Sequence, residues 1–438
     1  MNLRHIAPEL GVVITKLPRR QVSLAGFEQG HEALSGSDGS CLLVANGLAR
    51  RGYRVVCSTP GTQLLDTQMY NVSESLDALD QLRPGNPVLW CYKGDDETLV
   101  ALNAHDFRPF VWFHNPVTYE KIHWLEEGRV SGIIMISDAE RCPFYHAPVR
   151  DRLGRIYNPL SPFYRISREN APGRYQSQQV VFTGHLSERK GAHRVLQMWP
   201  LVRRQLPSAR LIVVGSTKLY GEDWQVGSLG VAEPAFEARY IRPIVDQFGS
   251  LEKAGVTVAG LLGADSMRTL YRQSALGIVN FNWQGSLEGF CISAIEMLAD
   301  QLPVFSFARG ALPETIGPTS GAVLLRSPDI TLAANRLAAM LQEPEYLSQL
   351  GAKGRDYVLE HYSLEHILDQ WEICLQSPPG ELDRLSGSWA GPVGLRYQAA
   401  RTVRALGLGG AYQTAAEKAK VVRQWIHLVR NLKFGFKV

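Results

Sequence analysis

The sequence predicts an α/β protein made of two doubly wound parallel sheets that face each other across a cleft. Three observations carry this expectation. Short apolar runs alternate with amphipathic helical stretches along most of the chain. The alternation pauses over a polar stretch at 161–179, which contains Pro162 and Pro172-Gly173, and then restarts. The length of 438 residues exceeds what a single core usually reaches. The expected domains are 1–165, 175–375 and a basic helical tail at 376–438.

In the first half, residues 22–27 read as a strand and 34–40 as a Gly/Ser-rich loop. A helix follows over 41–51, stops at Gly52, and leads into a strand at 54–57. Further strands are expected at 88–92, 110–113 and 132–136, each ending in polar residues where α/β sheets place ligand loops. In the second half the strands are 180–182, 210–214, 256–259, 276–279 and 304–306. The helices between them are 192–206, 267–272 and 289–299. The stretch 216–255 is long for a connection and carries two helical pieces, around 233–240 and 244–253. In the tail, Val421, Val422, Trp425, Ile426, Val429 and Leu432 recur at helical spacing among Lys and Arg. That basic amphipathic helix suits either an anionic membrane surface or the protein's own body.

Composition narrows the class. The 46 Lys and Arg against 42 Asp and Glu leave a net charge of +4, too weak to indicate nucleic acid. The 40 Gly and 24 Pro are spread along the chain, which excludes collagen-like and disordered chains. Six cysteines are scattered without a C-x-x-C pair, so reduced, buried thiols in a cytoplasmic protein are expected rather than zinc or disulfides. The N-terminus has no signal-peptide core, and no run approaches the roughly 18 apolar residues of a membrane span.

Chemistry concentrates in two segments. Glu288 and Glu296 are separated by seven residues, one before a helix and one inside it. Gly289 permits close backbone approach. The backbone N–H groups of Phe290, Cys291 and Ile292 then lie at a helix N-terminus, which attracts anions. A diphosphate is the natural guest. The second segment, 181–191, follows a strand. Its Lys190 offers a fixed positive charge to phosphate, and Arg189 either assists or pairs with Glu188.

Together these residues resemble family 4 of the glycosyltransferases, retaining enzymes of the two-domain GT-B fold. Glu288-x7-Glu296 looks like the family's E-x7-E signature, and Gly184 with Lys190-Gly191 like its G-R-L-x-x-x-K-G. Gly310-Ala311-Leu312-Pro313-Glu314 is similar to G-G-x-P-E. Ser35-Gly36, with Arg51-Gly52-Tyr53-Arg54-Val55, is similar to G-G…R-G-H-x-V. The resemblance implies a sugar transferred from a UDP- or GDP-linked donor to a carbohydrate or lipid-linked acceptor, without a metal or other cofactor. It implies that Glu296 binds the ribose and that Glu288 contacts the transferred sugar. Lys190 would neutralise the diphosphate, Gly36 would approach the phosphates, and the N–H groups of residues 290–292 would bind the phosphate end. It also implies a cytoplasmic protein, peripheral at the inner membrane face if the tail binds there.

The sequence departs from the family at several points. His185 stands where the family has Arg, and an imidazole cannot reproduce the bidentate grip of a guanidinium. Tyr92 occupies the position of the family's acceptor-side His, with His114, one strand later, as the nearest substitute. The competing readings are a non-catalytic nucleotide-sugar binder and a GT-B epimerase. The latter needs an acid/base pair of carboxylates in the first half, and none stands out. A nicotinamide oxidoreductase is disfavoured because no G-x-G-x-x-G follows a strand.

Overall fold

The computed structural model describes residues 7–385, apart from 16, 18–20, 32–33, 60–62, 66–69, 74, 145–146, 216–224, 285–286 and 318–320. The tail helix expected over 414–438 lies outside the described residues.

The N-terminal half contains β1 (Glu9–Ile14), β2 (Gln21–Ser23), β3 (Arg54–Ser58), β4 (Gln63–Leu65), β5 (Tyr70–Ser73), β6 (Val88–Tyr92), β7 (Phe110–Phe113), β8 (Gly132–Met135) and β9 (Leu153–Arg155). Seven of these form one sheet in the order β5-β3-β1-β6-β7-β8-β9, parallel throughout, and β2 pairs with β4 in a separate two-stranded sheet. The C-terminal half contains β10 (Gln179–Thr183), β11 (Arg210–Val214), β12 (Val256–Gly260), β13 (Leu276–Val279), β14 (Val304–Phe307) and β15 (Ala322–Leu325), in the parallel order β12-β11-β10-β13-β14-β15. Both sheets reverse their strand order once, between β1 and β6 and between β10 and β13. Ligands of open α/β sheets bind at such reversals, beyond the carboxyl ends of the strands.

The central strands are buried on both faces. Every residue of β1 is buried, as are all of Phe110–Phe113, Gly132–Met135 and Leu276–Val279. That is why they read as continuous apolar runs rather than alternating ones.

Several local expectations are corrected. The expected strand at 22–27 stops at Ser23, whose hydroxyl accepts the N–H of Gly26 at 2.9 Å and caps the helix Leu24–Glu28. The expected loop at 34–40 is helical from Gly36 on. Ser35 caps the helix Gly36–Arg50 and donates from its hydroxyl to Asp38 at 2.6 Å, so the serines of this stretch begin a helix instead of prolonging a loop. The second-half helix begins at Ile292 rather than 289. Within 216–255, the segments Pro234–Phe236 and Arg242–Phe248 are α-helical, joined by the π-turn Glu237–Ile241.

Packing at the end of the second half crosses to the first. The last long helix, Leu364–Gln376, falls by sequence in the second domain but packs on the first. Its Leu368 covers Gly47, its Trp371 ring meets Trp112 at 4.9 Å, and its Asp369 and Glu372 each pair with Arg51 at 2.7 Å. The following turn, Pro379–Leu385, lays Leu382 over Gly132 and Gly154. The stretch 161–179 is a clamped crossing with its own helix, Pro162–Arg165. Arg268 donates to the carbonyls of Phe163 (2.6 Å) and Ile166 (2.8 Å) and pairs with Asp300 (2.6 Å), the Phe163 and Asp300 contacts lying out of solvent.

Candidate active site

The site is built where the two strand-order reversals meet. On the C-terminal side, β10 delivers the turn that carries His185, Arg189 and Lys190. Gly191 follows with φ +80°, and a Cβ there would lie 2.0 Å from the carbonyl carbon of Phe281, beyond β13. Glycine at that position lets the lysine turn seat against the neighbouring loop. Lys190 Nζ reaches Glu288 Oε2 at 2.7 Å, both side chains mostly out of water. His185 is buried, and its carbonyl accepts the N–H of Ser187 at 2.8 Å. Arg189 is exposed, and its carbonyl accepts from the Asn282 side chain.

The loop from Glu288 to Cys291 is fixed from several sides. The N–H of Ala311 donates to the Glu288 carbonyl at 2.8 Å. Gly310, at φ +58°, brings its own backbone so close that a Cβ would lie 2.4 Å from that carbonyl oxygen. Phe290 is buried, with its ring 5.8 Å from Tyr157 and 5.3 Å from Tyr362. Cys291 is buried, and burial with the nearby Glu288 pushes its thiol up to about 12, so it stays protonated. The helix Ile292–Ala299 then starts, carrying Glu296 in its second turn. Burial, with the Asp300 carboxylate nearby, pushes the Glu296 carboxyl up to about 8, so it is largely protonated at neutral pH.

On the N-terminal side, the helix Gly36–Arg50 starts against the other half. A Cβ on Gly36 would lie 2.5 Å from Ile292 Cδ1, so the two helix N-termini abut. Behind Gly36, Asp38 pairs with Lys93 from the turn after β6. His114, at the end of β7, has Nε2 3.5 Å from Cys41 Sγ and its ring 4.5 Å from Trp112. Burial, with Lys93 nearby, pushes its imidazole down to about 3, so it is neutral. The six cysteines are all buried, as their sequence contexts suggest. Among the described residues no group of His, Cys, Asp and Glu has the arrangement of a metal site. No helix among them is long and apolar enough to cross a membrane.

One residue of the site, Glu140, escaped the sequence reading, and Glu314 entered it only as the last residue of the 310–314 motif. Glu140 projects from the short helix Asp138–Arg141, and its carboxylate lies against Gly289, where a Cβ would come within 2.2 Å of Glu140 Oε1. Burial and the Glu288 and Glu314 carboxylates push Glu140 up to about 8. Glu314 accepts the N–H groups of Asp138 (2.7 Å) and Ala139 (2.9 Å) and the Tyr157 hydroxyl (2.9 Å). The likeness of Gly310-Ala311-Leu312-Pro313-Glu314 to G-G-x-P-E is the sequence signal that points to this corner.

The comparisons with known proteins agree with this layout. The chain superposes on a sucrose-phosphate synthase from Thermosynechococcus elongatus with a TM-score of 0.58, at 16% identity, over 84% of this chain and 98% of that one. It superposes on Anabaena Alr3699/HepE in complex with UDP and glucose with a TM-score of 0.58, at 13% identity, over 84% of this chain and 99% of that one. The fold is GT-B. Residues 166–357, the C-terminal half of this GT-B chain, match the family described as Glycosyl transferases group 1. A GDP-mannose-dependent monoacylated alpha-(1-6)-phosphatidylinositol monomannoside mannosyltransferase of Corynebacterium glutamicum is 26% identical over 237 residues, 54% of this chain and 57% of that enzyme. An MMP alpha-(1->4)-mannosyltransferase of Mycolicibacterium hassiacum is 33% identical over 84 residues, 19% of this chain and 20% of that enzyme. The chain therefore spans little more than half the length of one of these relatives and a fifth of the other.

Proposed function

We propose that the protein is a metal-independent, retaining glycosyltransferase that moves a sugar from a nucleotide diphosphate to a hydroxyl of a carbohydrate or lipid-linked acceptor. The observation that carries this reading is the Lys190–Glu288 contact of 2.7 Å, set at the carboxyl end of β10 beside the abutting helix starts at Gly36 and Ile292. An ammonium and two helix N-termini converging on one place suit a diphosphate. Lys190 and the N–H groups of Phe290, Cys291 and Ile292 take the developing charge as the bond from the anomeric carbon to the diphosphate oxygen breaks. The acceptor oxygen bonds to that carbon from the same face, and its proton passes to the departing diphosphate. Glu288 accepts from a hydroxyl of the transferred sugar, and Glu296 from the ribose. Gly36 closes the phosphate end, with His185 and Arg189 on the lysine turn as further phosphate contacts. Because protein groups supply the charge, activity persists in a chelator.

The relatives' names make GDP-mannose the first donor to try, with UDP-glucose as the comparison. The test is calorimetric binding of UDP and GDP, followed by detection of sugar released or transferred from each donor. Absence of binding to both nucleotides overturns the reading. Contact of the 414–438 segment with an anionic membrane is part of the same proposal, and co-sedimentation of the full chain with anionic vesicles tests it.

A further inference from the structure

The contacts between the halves close into a ring around Glu288. Starting in the N-terminal half, the backbone N–H groups of Asp138 and Ala139 donate to the two oxygens of Glu314, and Tyr157 adds its hydroxyl to Oε1. Three residues before Glu314 in the same short turn, Ala311 donates its N–H to the Glu288 carbonyl at 2.8 Å. The Gly310 backbone lies against that of Glu288, where a Cβ would come within 2.4 Å of the Glu288 carbonyl oxygen. The next residue, Gly289, rests on Glu140, which belongs to the same N-terminal helix that Glu314 caps. A carboxylate of the C-terminal half thus holds the N-terminal half by main-chain groups, and the turn that carries it also fixes the backbone of the proposed sugar-contacting residue.

We propose, resting on the function proposed above, that Glu314 is a positioning residue that sets the Glu288 loop only when the two halves are engaged. It touches neither nucleotide nor sugar. Its carboxylate couples engagement of the halves to the placement of Glu288, so its effect falls on turnover and not on nucleotide affinity. Charge-assisted bonds to two N–H groups and a hydroxyl hold such a loop within the tolerance that transfer needs.

The test uses the full chain and three variants: Glu314→Ala, Glu314→Gln and Tyr157→Phe. UDP and GDP binding is measured by calorimetry, and kcat and donor KM with whichever of GDP-mannose and UDP-glucose the wild type turns over. Glu314→Ala is expected to lower kcat by about a hundredfold while nucleotide affinity and donor KM stay within about threefold. Glu314→Gln keeps one acceptor oxygen and recovers part of the loss, and Tyr157→Phe loses less than Glu314→Ala. If Glu314→Ala does not fold, the other two variants carry the same comparison. A kcat within about threefold of wild type, or a nucleotide affinity that falls in step with kcat, overturns the positioning role. A wild type that binds neither nucleotide overturns the function on which it rests, and that failure is seen before any variant is made.

Discussion

Lys190 Nζ lies 2.7 Å from Glu288 Oε2, so the cation that the proposed reaction places against a diphosphate is held by the carboxylate proposed to touch the sugar. A diphosphate must draw Lys190 away from that carboxylate.

Two substitutions at this pair are therefore expected to act in opposite directions. Lys190→Met should weaken UDP or GDP binding by about 1.5–3 kcal/mol, the worth of a hydrogen bond to a charged group. Glu288→Gln removes the competing charge, so nucleotide binding tightens by about threefold to tenfold while sugar transfer is lost. Calorimetry on both variants checks this. Weaker nucleotide binding in Glu288→Gln means that the pair does not compete with phosphate.

Glu296 makes a prediction about pH. Burial and Asp300 push its carboxyl up to about 8, against an ordinary Glu near 4.5. The folded protein therefore favours the protonated group, and the unfolded chain gives up that proton at lower pH. The stabilisation is complete below about 4.5, drains away as pH rises, and is gone above about 8. Glu296→Gln, which keeps the shape without the titration, should melt above the wild type by a margin that grows from pH 5 to pH 8. It should also bind nucleotide more weakly if the carboxylate grips the ribose. A margin that does not change with pH removes the raised carboxyl from the account.

The fold was legible because its strands are short, buried on both faces and apolar throughout, and because the carboxylate and lysine spacings are local to single segments. The central strand β1 was missed even so. Its run from Glu9 to Ile14 lies close to the chain start, where apolar residues invite a search for a leader sequence and not for a strand. The capping role of Ser35 was lost because serines read equally as loop residues, and that of Ser23 because it sits in a short run that reads as a strand. The Leu364–Gln376 helix could not be assigned to its half, since amphipathicity shows that a face is buried but not against what. Glu140 and Glu314 were invisible as a unit for a different reason. Their meaning lies in contacts between residues 138–140 and residues 289–314, and no spacing along the chain encodes such contacts.

His114 makes a second prediction about pH. Burial, with the Lys93 charge beside it, pushes its imidazole down to about 3 from an ordinary 6.5. It stays neutral across the working range, so it can hydrogen-bond an acceptor but not protonate one. Stability linked to it is present above about 6.5 and is lost as pH falls toward 3. The pH–rate profiles of wild type and His114→Gln are expected to run parallel between pH 5.5 and 8, and the variant should resist acid unfolding better. An inflection near pH 6.5 in the wild type that His114→Gln lacks would show that the imidazole titrates during turnover.

The clamp on the chain crossing is the place where the fold is most exposed to a single change. Arg268 and Asp300 are buried and paired at 2.6 Å, and Arg268 also satisfies the carbonyls of Phe163 and Ile166, which carry the chain from one half to the other. Arg268→Met strands a buried carboxylate, at a cost of about 3–5 kcal/mol. Adding Asp300→Asn removes that charge and should restore part of the loss. The buried Phe163 carbonyl remains without its donor, at roughly 1–3 kcal/mol, so the double variant should stay below wild type in urea unfolding. Full recovery in the double variant would mean that Arg268 does nothing for the crossing beyond balancing Asp300. An Arg268→Met variant as stable as wild type would mean that the buried pair contributes nothing.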